Sequence, residues 1–183
     1  ARTRRGLGTE APDGRQFDHL FAPDESFALG ELTVHVMPTP GHTNDSVSYR
    51  VGDAVFVGDT LFTPQGGSAR CDFPGGNAGT LYDSVQRLFA LPADTRMFVC
   101  HDYPEGGRPA QARTSVQDQR RDNIHLRDGT TREQYVALRE ARDRTLGMPR
   151  LILPAIQWNI RAGNAPPAEA NGVAYLRIPL NRL

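Results

Sequence analysis

Three side chains able to hold a metal follow runs of β-prone sequence. They are His42 in Thr39-Pro40-Gly41-His42-Thr43, Asp59 in Val57-Gly58-Asp59-Thr60, and His101 in Cys100-His101-Asp102-Tyr103. Imidazole nitrogen and carboxylate oxygen both bind zinc or iron, and such a set with open positions suits a metal that must also take water, substrate or oxygen. Each residue alone has a plainer reading, because a His or Asp beside a Gly is about as often a turn or capping residue. Three of them at strand ends, where a rigid scaffold can aim ligands at one point, indicate a metal centre.

The surrounding sequence supplies the elements that must do the aiming. Residues 32–37 alternate, with Leu32, Val34 and Val36 on one face, and Pro38 and Pro40 stop the run, as expected of a half-buried strand. Two more β-prone runs, 47–51 and 54–57, flank Gly52-Asp53, a pair suited to a tight hairpin, so these first three strands are expected to be antiparallel. Residues 66–79 are rich in Gly, Pro and Asn and predict a long irregular loop. Leu81, Val85, Leu88 and Phe89 follow helical spacing, and residues 96–100 form a short apolar run ending at His101. Thr130 with Glu133 reads as a capping box opening a helix to about Leu146, which Gly147 and Pro149 end. Two short β-prone runs, 151–153 and 173–178, close the chain. Strands followed by strands alternating with helices predict an α/β layered fold. Residues 1–16 read as a loop or cut end, and 17–183 as one continuous unit.

Composition narrows the function classes. The 38% hydrophobic fraction of this 183-residue chain suffices for a packed core. Charge is balanced at 21 basic and 21 acidic residues, and every basic residue is an Arg, spread along the chain; nucleic-acid binding gains no support. No apolar run approaches the roughly 20 residues needed to span a bilayer, and residues 1–5 lack a secretory apolar segment, so no membrane partner and a cytoplasmic location are expected. Cys71 and Cys100 are too few for a disulfide scaffold and read as reduced thiols, although the sequence leaves one bridge between them open.

The runs Thr39-Pro40-Gly41-His42-Thr43, 56–62 and His101-Asp102-Tyr103 together resemble the metallo-β-lactamase superfamily, in particular its persulfide dioxygenase and glyoxalase II branches. The similarity extends from about Phe17 to Gly163. It implies an αββα sandwich of which this chain is the second half, residues 17–183. It further implies that His42 is a metal ligand, that Asp59 is a ligand able to bridge two metals, and that His101 binds the second metal when two are present. Arg70-Cys71-Asp72-Phe73, Thr80-Leu81-Tyr82, His-Asp-Tyr and residues 154–163 are similar to persulfide dioxygenases. Cys71 stands where relatives often have Thr, and residues 149–161 match loosely. The superfamily's His-x-His-x-Asp-His motif, expected well upstream of Phe17, is not in this sequence; a longer natural protein, a second chain or a lost site are the three accounts.

The resemblance implies oxidation of a glutathione-bound persulfide with O2 at a mononuclear Fe(2+) site. There His42 and Asp59 ligate, His101 and Tyr103 orient substrate or carboxylate, and Arg70 and Arg161 bind the carboxylates of the thiol carrier. The alternative is a glyoxalase II-like thioester hydrolase with a dinuclear zinc or iron site, in which His101 ligates directly and Asp59 bridges. A third reading is a non-enzymatic half-domain or inactive remnant. A glutathione-derived small molecule is the expected partner, with a homo-oligomer left open. Other candidates have plainer readings: His19, His35 and His125 lie outside the site, Cys100 packs as a small buried thiol, Trp158 is core, and the arginines of 108–144 form a solvated helical face.

Overall fold

The computed structural model of the chain describes residues 14–104 and 106–178. Two compact units emerge, one of residues 21–146 and one joining residues 14–20 with residues 147–178. Most of the expected N-terminal loop, residues 1–13, lies outside the described residues.

In the 21–146 unit, alternating sequence folds into a six-stranded sheet in chain order: β1 (Ser26–Leu29), β2 (Leu32–Pro38), β3 (Val47–Val51), β4 (Ala54–Phe56), β5 (Arg96–Phe98) and β6 (Arg113–Ser115). All neighbours pair antiparallel except β4 and β5, which run parallel. A parallel pair needs a crossover, and α1 (Ala78–Phe89) lies within it. The β3–β4 hairpin turns at Gly52, whose φ of 57° is the left-handed conformation that glycine adopts freely. Helices α2 (Val116–Asp122) and α3 (Arg132–Asp143) complete the unit.

Because strand side chains alternate, the register decides which residues meet α1. Val55 lies opposite Met97, and both are fully buried with Leu81, Val85, Leu88 and Phe89 of α1. Burial of each such side chain contributes about 1.5–3 kcal/mol. The opposite face carries Phe56 stacked on Phe98, with ring centroids 5.0 Å apart.

Several elements differ from the sequence expectation. β1, β6 and α2 were not anticipated, being short and without strong periodicity. The capping box sits one residue later: Thr131 accepts from the Gln134 amide while the Gln134 side chain accepts from the Thr131 amide, and α3 ends at Asp143. In the other unit, 151–153 is not a strand but leads into α4 (Ile152–Asn159). Pro154 falls in the first turn of α4, where a missing N–H breaks no helical bond. Residues 173–178 are not in a strand either. The buried Gln157 side chain takes the place of a strand partner there, accepting from the Arg177 amide at 2.8 Å and donating to its carbonyl at 2.9 Å. No helix of the described residues is long and apolar enough to cross a membrane.

Candidate metal centre

His42 follows β2, Asp59 sits in a single 3-10 turn (Gly58–Thr60) just after β4, and His101 lies three residues beyond β5. The segments that follow β2, β4 and β5 deliver their side chains to one carboxylate. His42 Nε2 is 3.9 Å from Asp59 Oδ2, and His101 Nε2 is 3.2 Å from Asp59 Oδ1. Cys100 joins them, its thiol donating to Asp59 Oδ1 at 3.0 Å. The ligand atoms of Asp59, Cys100 and His101 all lie within 4.8 Å of one another.

The turns that aim these groups are fixed by local packing. Gly41 has φ 140°, and a Cβ there would run into the Leu81 backbone, so only glycine lets the residues before His42 lie against α1. Ser84 of α1 donates to the Pro40 carbonyl at 2.7 Å, and the Asn77 amide donates to the Gly41 carbonyl at 2.8 Å. Beneath the site runs a buried hydroxyl chain: Thr60 donates to Thr39 at 3.1 Å, and Thr39 lies 3.0 Å from Ser48. It ties the segment leading to His42 to the turn holding Asp59.

The donor set fits a divalent metal. Two ligands bound at about 2.0–2.2 Å to one ion are separated by roughly 3–4 Å, the range of the His42–Asp59 and His101–Asp59 separations. His42 donates its Nδ1 proton to the Arg70 carbonyl at 2.7 Å, which leaves the Nε2 lone pair facing Asp59. A backbone carbonyl behind a ligand imidazole is the usual means of fixing its tautomer.

The chain's similarity to known proteins agrees with this geometry. Residues 3–101 match the metallo-beta-lactamase superfamily. The chain belongs to this superfamily. Glyoxylase B2 from Dictyostelium discoideum is 50% identical over 172 residues, covering 93% of this chain and 59% of that protein. A beta-lactamase hydrolase-like protein from Agrobacterium fabrum is 54% identical over 171 residues, covering 93% and 39%. The crystal structure of ETHE1 from Myxococcus xanthus superposes with a TM-score of 0.70 at 39% identity, covering 79% of this chain and 60% of that one. The chain thus spans 39–60% of the length of these relatives. Its fold is the metallo-β-lactamase α/β fold, to which the described residues contribute a mixed sheet and four helices.

Tyr103, Arg70 and Arg161 are the remaining expected site residues. Tyr103 is 65% exposed, its ring beside Phe62 and His101 with centroids 5.7 and 6.0 Å away. The Arg70 guanidinium is gripped by Asp72 through two nitrogens, Nε at 2.6 Å, and lies over Phe73, whose ring meets His42 edge-on. The Arg70 backbone carbonyl accepts from His42. Arg161 belongs to the other unit, where it donates to the Gln157 carbonyl at 2.7 Å.

Four residues have surroundings that sequence reasoning did not foresee. Cys100 is exposed rather than a packed strand end, because β5 stops at Phe98; partial burial and the Asp59 carboxylate push its thiol up to about 12, so it remains a proton donor. Its adjacency to His101 was the available signal. Asp102 is not a ligand: its carboxylate accepts from Arg108 at 2.7 and 2.9 Å, Gln111 N at 2.7 Å and Thr63 Oγ1 at 2.9 Å. Arg108 first, then the Gln111 amide, hold it far below the usual carboxylate range. Arg139, expected on a solvated face, is 2% exposed, and His125 is buried with its Nδ1 accepting from the Ser68 amide at 3.0 Å.

Proposed function

We propose that this chain carries part of a mononuclear Fe(2+) site at which a glutathione-bound persulfide is oxidised with O2. The observation that supports it best is the division of labour on Asp59. Its Oδ2 faces His42 Nε2, while its Oδ1 accepts from Cys100 and faces His101. One oxygen is therefore available to a metal shared with His42, and the other is held by neighbouring donors. With one further imidazole of the kind the resemblance implies, His42 and Asp59 make a two-His-one-carboxylate set, a ligand pattern of non-haem iron oxygenases. When bound, the iron would supply open positions for a sulfur substrate and oxygen.

The chain's own residues then orient. Cys100 and His101 hold the Asp59 carboxylate in one rotamer, and the exposed ring of Tyr103 beside His101 offers a wall for the thiol carrier. The Arg70-Cys71-Asp72-Phe73 and His101-Asp102-Tyr103 runs, similar to those of persulfide dioxygenases, favour this reading over the glyoxalase-like one. The alternative is favoured by the likeness to glyoxylase B2 of Dictyostelium and needs His101 as a direct ligand, with Asp59 bridging two metals. Oxygen uptake by the full-length protein with glutathione persulfide, set beside hydrolysis of a glutathione thioester, separates the two. Persulfide-dependent uptake without thioester cleavage is expected; thioester cleavage without uptake would overturn the proposal.

A further inference from the structure

Helix α3 turns a polar face inward. Tyr135, Arg139 and Asp143 recur every four residues, so they share one face, and they are the buried residues of α3. Buried charges persist only when paired and hydrogen-bonded. Arg139 and Asp143 pair, with Nε to Oδ1 at 2.9 Å and Nη2 to Oδ1 at 2.7 Å. Their remaining capacity goes to the loop leading into α1. Arg139 Nη1 donates to the Ser68 carbonyl at 3.1 Å, Tyr135 OH lies 2.8 Å from Ser68 Oγ, and Asp143 Oδ2 accepts the Cys71 amide at 2.8 Å.

The last of these bonds matters for the metal centre. The Cys71 N–H and the Arg70 C=O belong to the same peptide group, and in a trans peptide the two point in opposite directions. That single planar unit is gripped at one end by Asp143 and accepts at the other from His42 Nδ1 at 2.7 Å. A carboxylate on the N–H side polarises the carbonyl on the other side and strengthens what it accepts.

We propose that Asp143, held by Arg139, is a positioning residue for His42, acting through the Arg70–Cys71 peptide, 72 residues away in sequence. The relay fixes the His42 ring with Nδ1 protonated and Nε2 facing Asp59. It deepens the metal-site reading, on which it rests only for its consequence; the orientation of His42 is testable without metal.

The test uses the full-length protein and a double variant, Arg139→Met with Asp143→Leu, which removes both charges together and so leaves no unpaired buried ion. Imidazole nitrogen NMR reads the His42 tautomer, and Co(2+) titration reads affinity. The expected result is a mixed His42 tautomer in the metal-free variant and metal affinity lowered about 10- to 100-fold. The pair Arg139→Gln with Asp143→Asn, which keeps neutral hydrogen-bonding groups, should restore most of both. A folded double variant with the His42 tautomer and affinity within twofold of the parent would overturn the relay. Should the double variant not fold, hydrogen exchange in the parent decides: the His42 Nδ1 proton and the Cys71 amide should open together, and a His42 proton exchanging tenfold or more faster would overturn the relay. A parent that keeps the His42 tautomer locked but binds no metal would instead refute the metal-site reading alone.

Discussion

His42 and His101 face the same Asp59 carboxylate from walls of different construction. The His42 side chain is 15% exposed, meets the Phe73 ring edge-on, and donates to a backbone carbonyl of a loop fastened to α3 by buried charge. The His101 side chain is 52% exposed, its ring neighbours are Phe62 and Tyr103, and its loop is anchored at Asp102 by Arg108, Thr63 and Gln111. A ligand that must stay fixed on a metal needs a buried, fully bonded support. A group that works beside the metal tolerates exposure and gains access to substrate. The contrast therefore agrees with His42 as a ligand and His101 as its orienting neighbour.

Substitutions sharpen or break that contrast. The largest effect is expected at the shared carboxylate: Asp59→Ala should remove metal retention and oxygen uptake together, since the loss of one ligand from a three-ligand site leaves too few to hold the ion. Metal content after gel filtration checks this, and an Asp59→Ala protein that keeps its metal would break the account.

The buried wall should also carry its own pH signature. Burial first, then Arg139 and Arg142, lower His125 to about 4, against an ordinary value of 6.5. The neutral imidazole is thus the folded form. Its contribution is complete above pH 6.5 and fades as the pH falls toward 4, because the unfolded chain takes the proton first. The loss amounts to at most about 3 kcal/mol. Urea unfolding at pH 7 and pH 4.5 should show it, and His125→Gln should reduce the difference. An unchanged pH dependence in that variant would exclude His125 as its source.

His101→Ala should lower oxygen uptake about 10- to 100-fold while leaving metal content unchanged. Total inactivation with loss of a second metal would erase the contrast between the walls and favour the dinuclear hydrolase. The smallest effect is expected at Cys100. Cys100→Ser keeps a donor to Asp59 and should change metal affinity by less than about threefold, whereas Cys100→Ala should weaken it by several fold, each worth about 1 kcal/mol or less. Isothermal titration with Co(2+) reads both.

Much of this arrangement was legible in the sequence where short-range rules apply. Alternation located β2, the Gly52-Asp53 turn joined β3 to β4, and the residues His42, Asp59 and His101 stood at strand ends where the structure brings them together around one carboxylate. What escaped depends on partners distant in sequence. An Arg spaced four residues from a Tyr and an Asp looks like a solvated helical face until a loop some 70 residues away offers Ser68 O and Cys71 N as partners. The carbonyl that holds His42 belongs to the backbone and has no signature in residue type. In 151–153 a short apolar run carried no periodicity able to separate strand from helix, and the packing of Gln157 against Arg177 decided for α4.

The central claim is that His42 and Asp59 hold a metal while His101 orients the carboxylate. Anomalous diffraction from crystals of the full-length protein, purified without oxygen and recorded at the iron edge, tests it most directly. A single peak about 2.0–2.2 Å from His42 Nε2 and from an Asp59 oxygen, with His101 Nε2 beyond bonding distance, is the predicted result. Two peaks bridged by Asp59, one of them bonded to His101, or a metal held by other residues altogether, would contradict it.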